Sequence, residues 1–204
     1  MNNAFRLSSL VRPALPALPV LLLAACATAP GSGESGPSWD SLSTEVQLAE
    51  PGEHEVVVVI NNNAVLGNHA GIFAGARLSD PAGSYRNVGS QLPDRQHARL
   101  ADYVAYQMVD GLRIRVYRFT LPEPQFAAVV SRLPEADHAL PLFCGAAVQN
   151  AIAGIGPFRG IEATWWTSPA DLARLLDSLT GTRQAAGVCL WADGRPCRAA
   201  SEGR

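Results

Sequence analysis

Three residues in this chain have the types and spacing to do chemistry together: Cys144, His69 and Asp80. Cys144 heads the stretch CGAAVQNAI, alanine-rich with apolar residues at helical spacing, which predicts a helix opened by Cys144 and terminated by Gly154 and Gly156. At a helix start the unpaired backbone N–H groups and the helix dipole stabilise a thiolate, which is the nucleophilic form of the side chain. A thiolate that attacks a carbonyl also needs an imidazole to hold and return the proton, and a polar group to fix that imidazole in its working tautomer. Of the four histidines, His69 is best placed, at the start of the strand-like HAGIFAG, while Asp80 lies near the end of the returning strand of the same hairpin. Neighbouring antiparallel strands are only about 5 Å apart, so the hairpin joins the two side chains if both point to one face.

The other cysteines divide by position. Cys189 and Cys197 flank a segment containing Asp193-Gly194, a strong hairpin-turn signal, so a disulfide can close that hairpin in an oxidising compartment. Cys26 sits at the end of an apolar N-terminal run, leaving Cys144 as the odd thiol. Such a thiol is either buried as a small hydrophobe or retained because it reacts. Trp165 and Trp166, with Phe158, are candidates to line a substrate groove, and packing in the core or at its rim is the competing reading. His54, His97 and His138 lie in or next to polar stretches and read as solvated surface groups. No pair of histidines or cysteines has the close spacing of a metal-binding element, so neither metal nor cofactor is expected.

Several elements must hold the three residues. Glu55 to Asn61 (EVVVVIN) is a continuous β-branched run, predicting a central strand covered on both faces. The hairpin from His69 turns at Gly75-Ala76 and is broken by Pro81, after which residues to Arg95 read as loop. Gln96 to Val109 predicts a helix with Leu100, Tyr103, Val104 and Met108 on one stripe, ended by Gly111. Leu112, Ile114 and Val116 alternate with Arg113, Arg115 and Tyr117, the pattern of a half-buried strand. An amphipathic helix follows, with Pro122 or Pro124 in its first turn and Phe126, Val129, Val130 and Leu133 on its apolar side. Ser168-Pro169-Ala170-Asp171 supplies an N-cap, a first-turn proline and a carboxylate for a helix that Gly181 closes.

The N-terminus places the chain. Residues 1–25 carry two arginines, no acid and a proline-interrupted apolar run shorter than the about 20 residues a membrane span needs, and so read as a signal peptide. Leu23-Ala24-Ala25-Cys26 offers the small residues that a lipoprotein signal peptidase accepts before the cysteine that takes the lipid. Ala27 rather than Asp follows that cysteine, which by resemblance to Gram-negative lipoproteins favours the outer membrane, facing the periplasm. Residues 26–40 are rich in Pro, Gly and Ser and read as a flexible tether, leaving residues 41–204 for one domain. The net charge of −2 argues against a nucleic-acid partner.

The order of motifs carries a resemblance: a histidine opening a strand (His69-Ala70-Gly71-Ile72), a polar residue on the next strand, then a cysteine opening a helix with a valine four residues on (Cys144-Gly145-Ala146-Ala147-Val148). It resembles the circularly permuted NlpC-like branch of the papain fold, which includes lecithin retinol acyltransferase-like proteins and bacterial envelope hydrolases. The resemblance covers about residues 56–179 and implies an α+β fold, with helices packed on a mainly antiparallel central sheet. It also implies Cys144 as nucleophile, His69 as base and Asp80 as the orienting third residue. The expectation is a thiol hydrolase or acyltransferase of the envelope, with the peptide stem of peptidoglycan as substrate and a lipid or acyl amine as rival. The alternative is a noncatalytic outer-membrane lipoprotein that binds or scaffolds, with Cys144 merely packed.

Overall fold

A computed structural model describes residues 45–62, 69–83, 85, 98–133, 143–180 and 185–197. The expected signal peptide, tether and Cys26 lie outside the described residues, as do His97 and His138. The fold is α+β, a five-stranded antiparallel sheet with four α-helices among the described residues. In chain order the elements are β1 (Glu55–Asn61), β2 (His69–Ala74), β3 (Arg77–Ser79), α1 (Leu100–Met108), β4 (Ile114–Thr120), α2 (Glu123–Arg132), α3 (Cys144–Ile152), α4 (Pro169–Thr180) and β5 (Val188–Trp191). The spatial order is β3-β2-β1-β4-β5, so the β-branched run of β1 occupies the centre.

Strand alternation separates two cores. Val56, Val58 and Ile60 of β1, Ala70 and Ile72 of β2, and Tyr117 and Phe119 of β4 face one side, packed with α2, α3 and α4. Val57 and Val59, Phe73, and Ile114 and Val116 face the other, packed with α1. β4 departs from the expected half-buried strand. It begins at Ile114, leaving Leu112 exposed, and Tyr117, expected on the polar side, is buried. Its hydroxyl donates to Asp177 Oδ1 at 2.8 Å, which is how a phenol is accommodated in an apolar layer.

Helix ends are set by both local and distant groups. α4 has its expected cap: the Asp171 N–H donates to Ser168 Oγ at 3.1 Å, and the Ser168 hydroxyl donates to the Asp171 carboxylate at 2.6 Å. α1 begins at Leu100 because its first N–H donates to the carboxylate of Glu50, which lies fifty residues earlier in the chain. Arg118 on β4 grips Glu55 with two bonds, Nε to Oε1 at 2.9 Å and Nη2 to Oε2 at 2.6 Å. Burial raises the Glu55 pKa, but the Arg118 hydrogen bonds, the Gly52 N–H and the guanidinium charge outweigh it, leaving that pKa below its ordinary value.

At the far edge Cys189 and Cys197 form a disulfide, with Cα atoms 5.2 Å apart. The turn between them uses Gly194 at φ 78, a conformation a side chain would resist, and the Cys197 N–H donates to Cys189 O at 2.8 Å. No helix among the described residues is long and apolar enough to cross a membrane.

Candidate functional site

The hairpin register decides where His69 and Asp80 point. Ile72 pairs with Ser79, which sets Asp80 across from Gly71 and diagonal to His69 on the face that carries α1. Both side chains are buried, and His69 Nε2 lies 2.5 Å from Asp80 Oδ1. The carboxylate is itself oriented, because its second oxygen accepts the Tyr85 N–H at 2.9 Å and its backbone carbonyl closes a turn with the Gly83 N–H. The stretch after Asp80 therefore holds the acid in place through turn geometry. With Nε2 committed to the carboxylate, Nδ1 is the nitrogen left to exchange a proton.

Cys144 is the first residue of α3 and is fully buried. It belongs to the core on the three-helix face, with Ala70 and Ile72, and among the described residues it is the cysteine outside a disulfide. Phe143 precedes it without a side-chain cap, so no side chain competes for the first-turn amides. Gly145 has a packing reason: a Cβ there would meet the Thr167 carbonyl oxygen at 2.3 Å, so only glycine lets the segment leading into α4 lie against the start of α3.

Cys144 packs in the three-helix core and His69 shares the strand side of Gly71, and Tyr103 of α1 relates to both. Its ring packs beside His69, with centroids 6.4 Å apart. Its hydroxyl lies over Gly71, where a Cβ would come within 2.2 Å of the oxygen. Burial first, then the charges of Asp80 and Cys144, pushes the Tyr103 pKa well above its ordinary value, so the phenol stays neutral and able to donate. The hydroxyl nevertheless has no hydrogen-bond partner among the described residues. Gln107, one turn on, eases it electrostatically through a contact that falls short of hydrogen-bond geometry, and its Nε2 is likewise unpartnered. Tyr103 was legible in the sequence only as part of an apolar helical stripe. The signal for its second role was Gly71, two residues after His69, which leaves room for a large group on that side of the strand.

The remaining candidates fall in different places. Trp165 and Trp166 stand in solvent, and Trp166 packs edge-on against Phe143, the residue before Cys144, with centroids 5.8 Å apart. Phe158 belongs to the core instead. It is fully buried, its ring 4.6 Å from Phe119 in the three-helix core. His54 is half-buried against Phe126 rather than fully solvated, because its strand-end position tucks the ring under α2. Among the described residues no cluster of three His, Cys, Asp or Glu could hold a metal ion. Comparisons with protein-family models, with curated proteins and with solved structures find no match to this chain.

Proposed function

We propose that the chain is a cysteine-dependent hydrolase or acyltransferase of permuted papain-like architecture, anchored through Cys26 to the periplasmic face of a bacterial outer membrane. The observation that carries this reading is the buried His69–Asp80 pair, which orients the imidazole through Nε2 in a protein where a buried cysteine outside any disulfide opens a helix. A buried His–carboxylate contact is weak evidence for stability and marks a candidate functional site.

In the reaction, His69 Nδ1 takes the Cys144 proton as the sulfur attacks an amide or ester carbonyl. Asp80 stabilises the imidazolium that forms. Collapse of the tetrahedral adduct expels the amine or alcohol, which leaves with the proton from His69, and the acyl group remains as a thioester on Cys144. Water then releases it as an acid, or an acceptor amine or hydroxyl takes it. The peptide stem of peptidoglycan is the substrate class favoured by the envelope location, and an acylated lipid is the rival.

The test is to trap the acyl-enzyme. Peptidoglycan fragments and, separately, acyl phospholipids are incubated with the purified chain, quenched in acid and mapped by mass spectrometry. The expected result is an acyl adduct on the Cys144 peptide, absent in His69→Ala. No adduct from either class, with Cys144 also inert to iodoacetamide, would contradict the proposal and leave a noncatalytic binding module.

A further inference from the structure

The loop between α3 and α4 holds two large aromatic side chains in water, Trp165 at 82% exposure and Trp166 at 44%. An indole that exposed contributes almost nothing to the core, yet its backbone is fastened firmly. Asn150 of α3 clamps Thr164 both ways, its Nδ2 donating to the carbonyl at 2.9 Å and its Oδ1 accepting the N–H at 2.8 Å. The Thr164 hydroxyl in turn accepts the Trp166 N–H at 3.2 Å, and Gln149 Nε2 donates to Glu162 O at 2.7 Å. Gly145 lets the Thr167 backbone close against α3. Rigid presentation of an exposed aromatic lowers the entropic cost of binding something flat.

Thr164 and Thr167, which bracket the two tryptophans, also line an open groove of about 540 Å³ between α3 and α4. Its wall includes Gln149, a buried side chain whose Oε1 has no hydrogen-bond partner among the described residues. A buried acceptor left unmatched costs free energy, so a ligand bringing an N–H or O–H to it gains. Asp171 and Glu162 line the same groove, and Arg174, its lining cation among the described residues, is ion-paired with Asp171. That balance is unsuited to anionic lipid headgroups.

We infer that the groove and the Trp165–Trp166 platform form a saccharide-binding site. The C–H face of a pyranose ring stacks on the exposed indole, and ring hydroxyl or acetamido N–H groups reach the groove, including Gln149 Oε1. The site is independent of the thiol chemistry proposed for Cys144.

Isothermal titration of the purified chain with a soluble β-1,4-linked N-acetylglucosamine oligosaccharide, beside vesicles of anionic phospholipid, tests it. The oligosaccharide should bind saturably. Trp165→Ala should weaken it about tenfold, as truncation of a central aromatic anchor does, with the melting temperature unchanged because the side chain is exposed. Trp165→Tyr should restore part of the affinity. No saturable saccharide binding, or equal binding by Trp165→Ala, would overturn the inference, as would vesicle binding that needs Trp165 in a chain that ignores the sugar. A chain that binds the sugar while Cys144 forms no adduct refutes the hydrolase reading alone, and an acylated Cys144 without sugar binding refutes the saccharide site alone.

Discussion

The two faces of the sheet are built to different rules. On the three-helix face Val56, Val58, Ile60, Phe119 and Phe158 interdigitate as an apolar layer, and its buried phenol, Tyr117, has hydrogen-bond partners. On the single-helix face the hydroxyls of Tyr85 and Tyr103 and the Gln107 Nε2 are buried without partners among the described residues, next to the His69–Asp80 pair. An unpartnered buried polar group is destabilising by about 1–3 kcal/mol, so a face that keeps several is shaped by something other than stability. Removing side chains from the two faces should therefore have opposite consequences.

The largest effect is expected on the apolar face. Phe158→Ala removes a fully buried ring packed edge-on against Phe119 and should lower unfolding free energy by about 3–5 kcal/mol, read from denaturant midpoints at constant slope. A loss under about 1 kcal/mol would mean that the layer is loosely packed and the contrast false. Next comes the far edge, where replacing both Cys189 and Cys197 by serine opens the short cross-linked loop and should cost about 2–3 kcal/mol by the same measurement. On the single-helix face Tyr103→Phe should be neutral or stabilising by about 1 kcal/mol, since it deletes an unmatched hydroxyl while keeping the ring against Phe73 and Tyr85. Strong destabilisation by Tyr103→Phe would show that the hydroxyl is structurally satisfied.

The smallest effect lies at the start of the central strand β1 and depends on pH. Because the folded pKa of Glu55 is depressed, its stabilisation is full above the ordinary carboxylate pKa and is lost as pH falls through the lower folded value. Glu55→Gln should accordingly lower the melting temperature near neutrality, where the wild-type carboxylate is ionised, and converge with the wild type in acid, so that the acid limb flattens. An unchanged acid limb would remove Glu55 from the account.

What the sequence revealed followed the range of the determining interactions. The β-branched run of β1, the Gly75 turn, the cap of α4, the helix opened by Cys144 and the Cys189–Cys197 hairpin all depend on neighbours within a few residues. Asp80 could be matched to His69 because a hairpin fixes their separation. By contrast, the start of α1 depends on Glu50, and the second buried face of β4 depends on α4, whose Asp177 meets Tyr117. Neither is written in a local period. Tyr103 was hidden for the same reason: its place over Gly71 arises from packing between elements far apart in the chain.

The proposed function rests on His69 and Cys144 acting as one unit. The rate of Cys144 alkylation by iodoacetamide against pH, in the wild-type chain and in His69→Ala, tests it most directly. If the two are coupled, the wild-type rate should rise with an inflection well below the ordinary thiol value of about 8.5, and His69→Ala should move that inflection up by about one unit or more, slowing alkylation about tenfold at pH 6. An inflection at or above the ordinary value in both chains would contradict the account and make Cys144 a packed side chain.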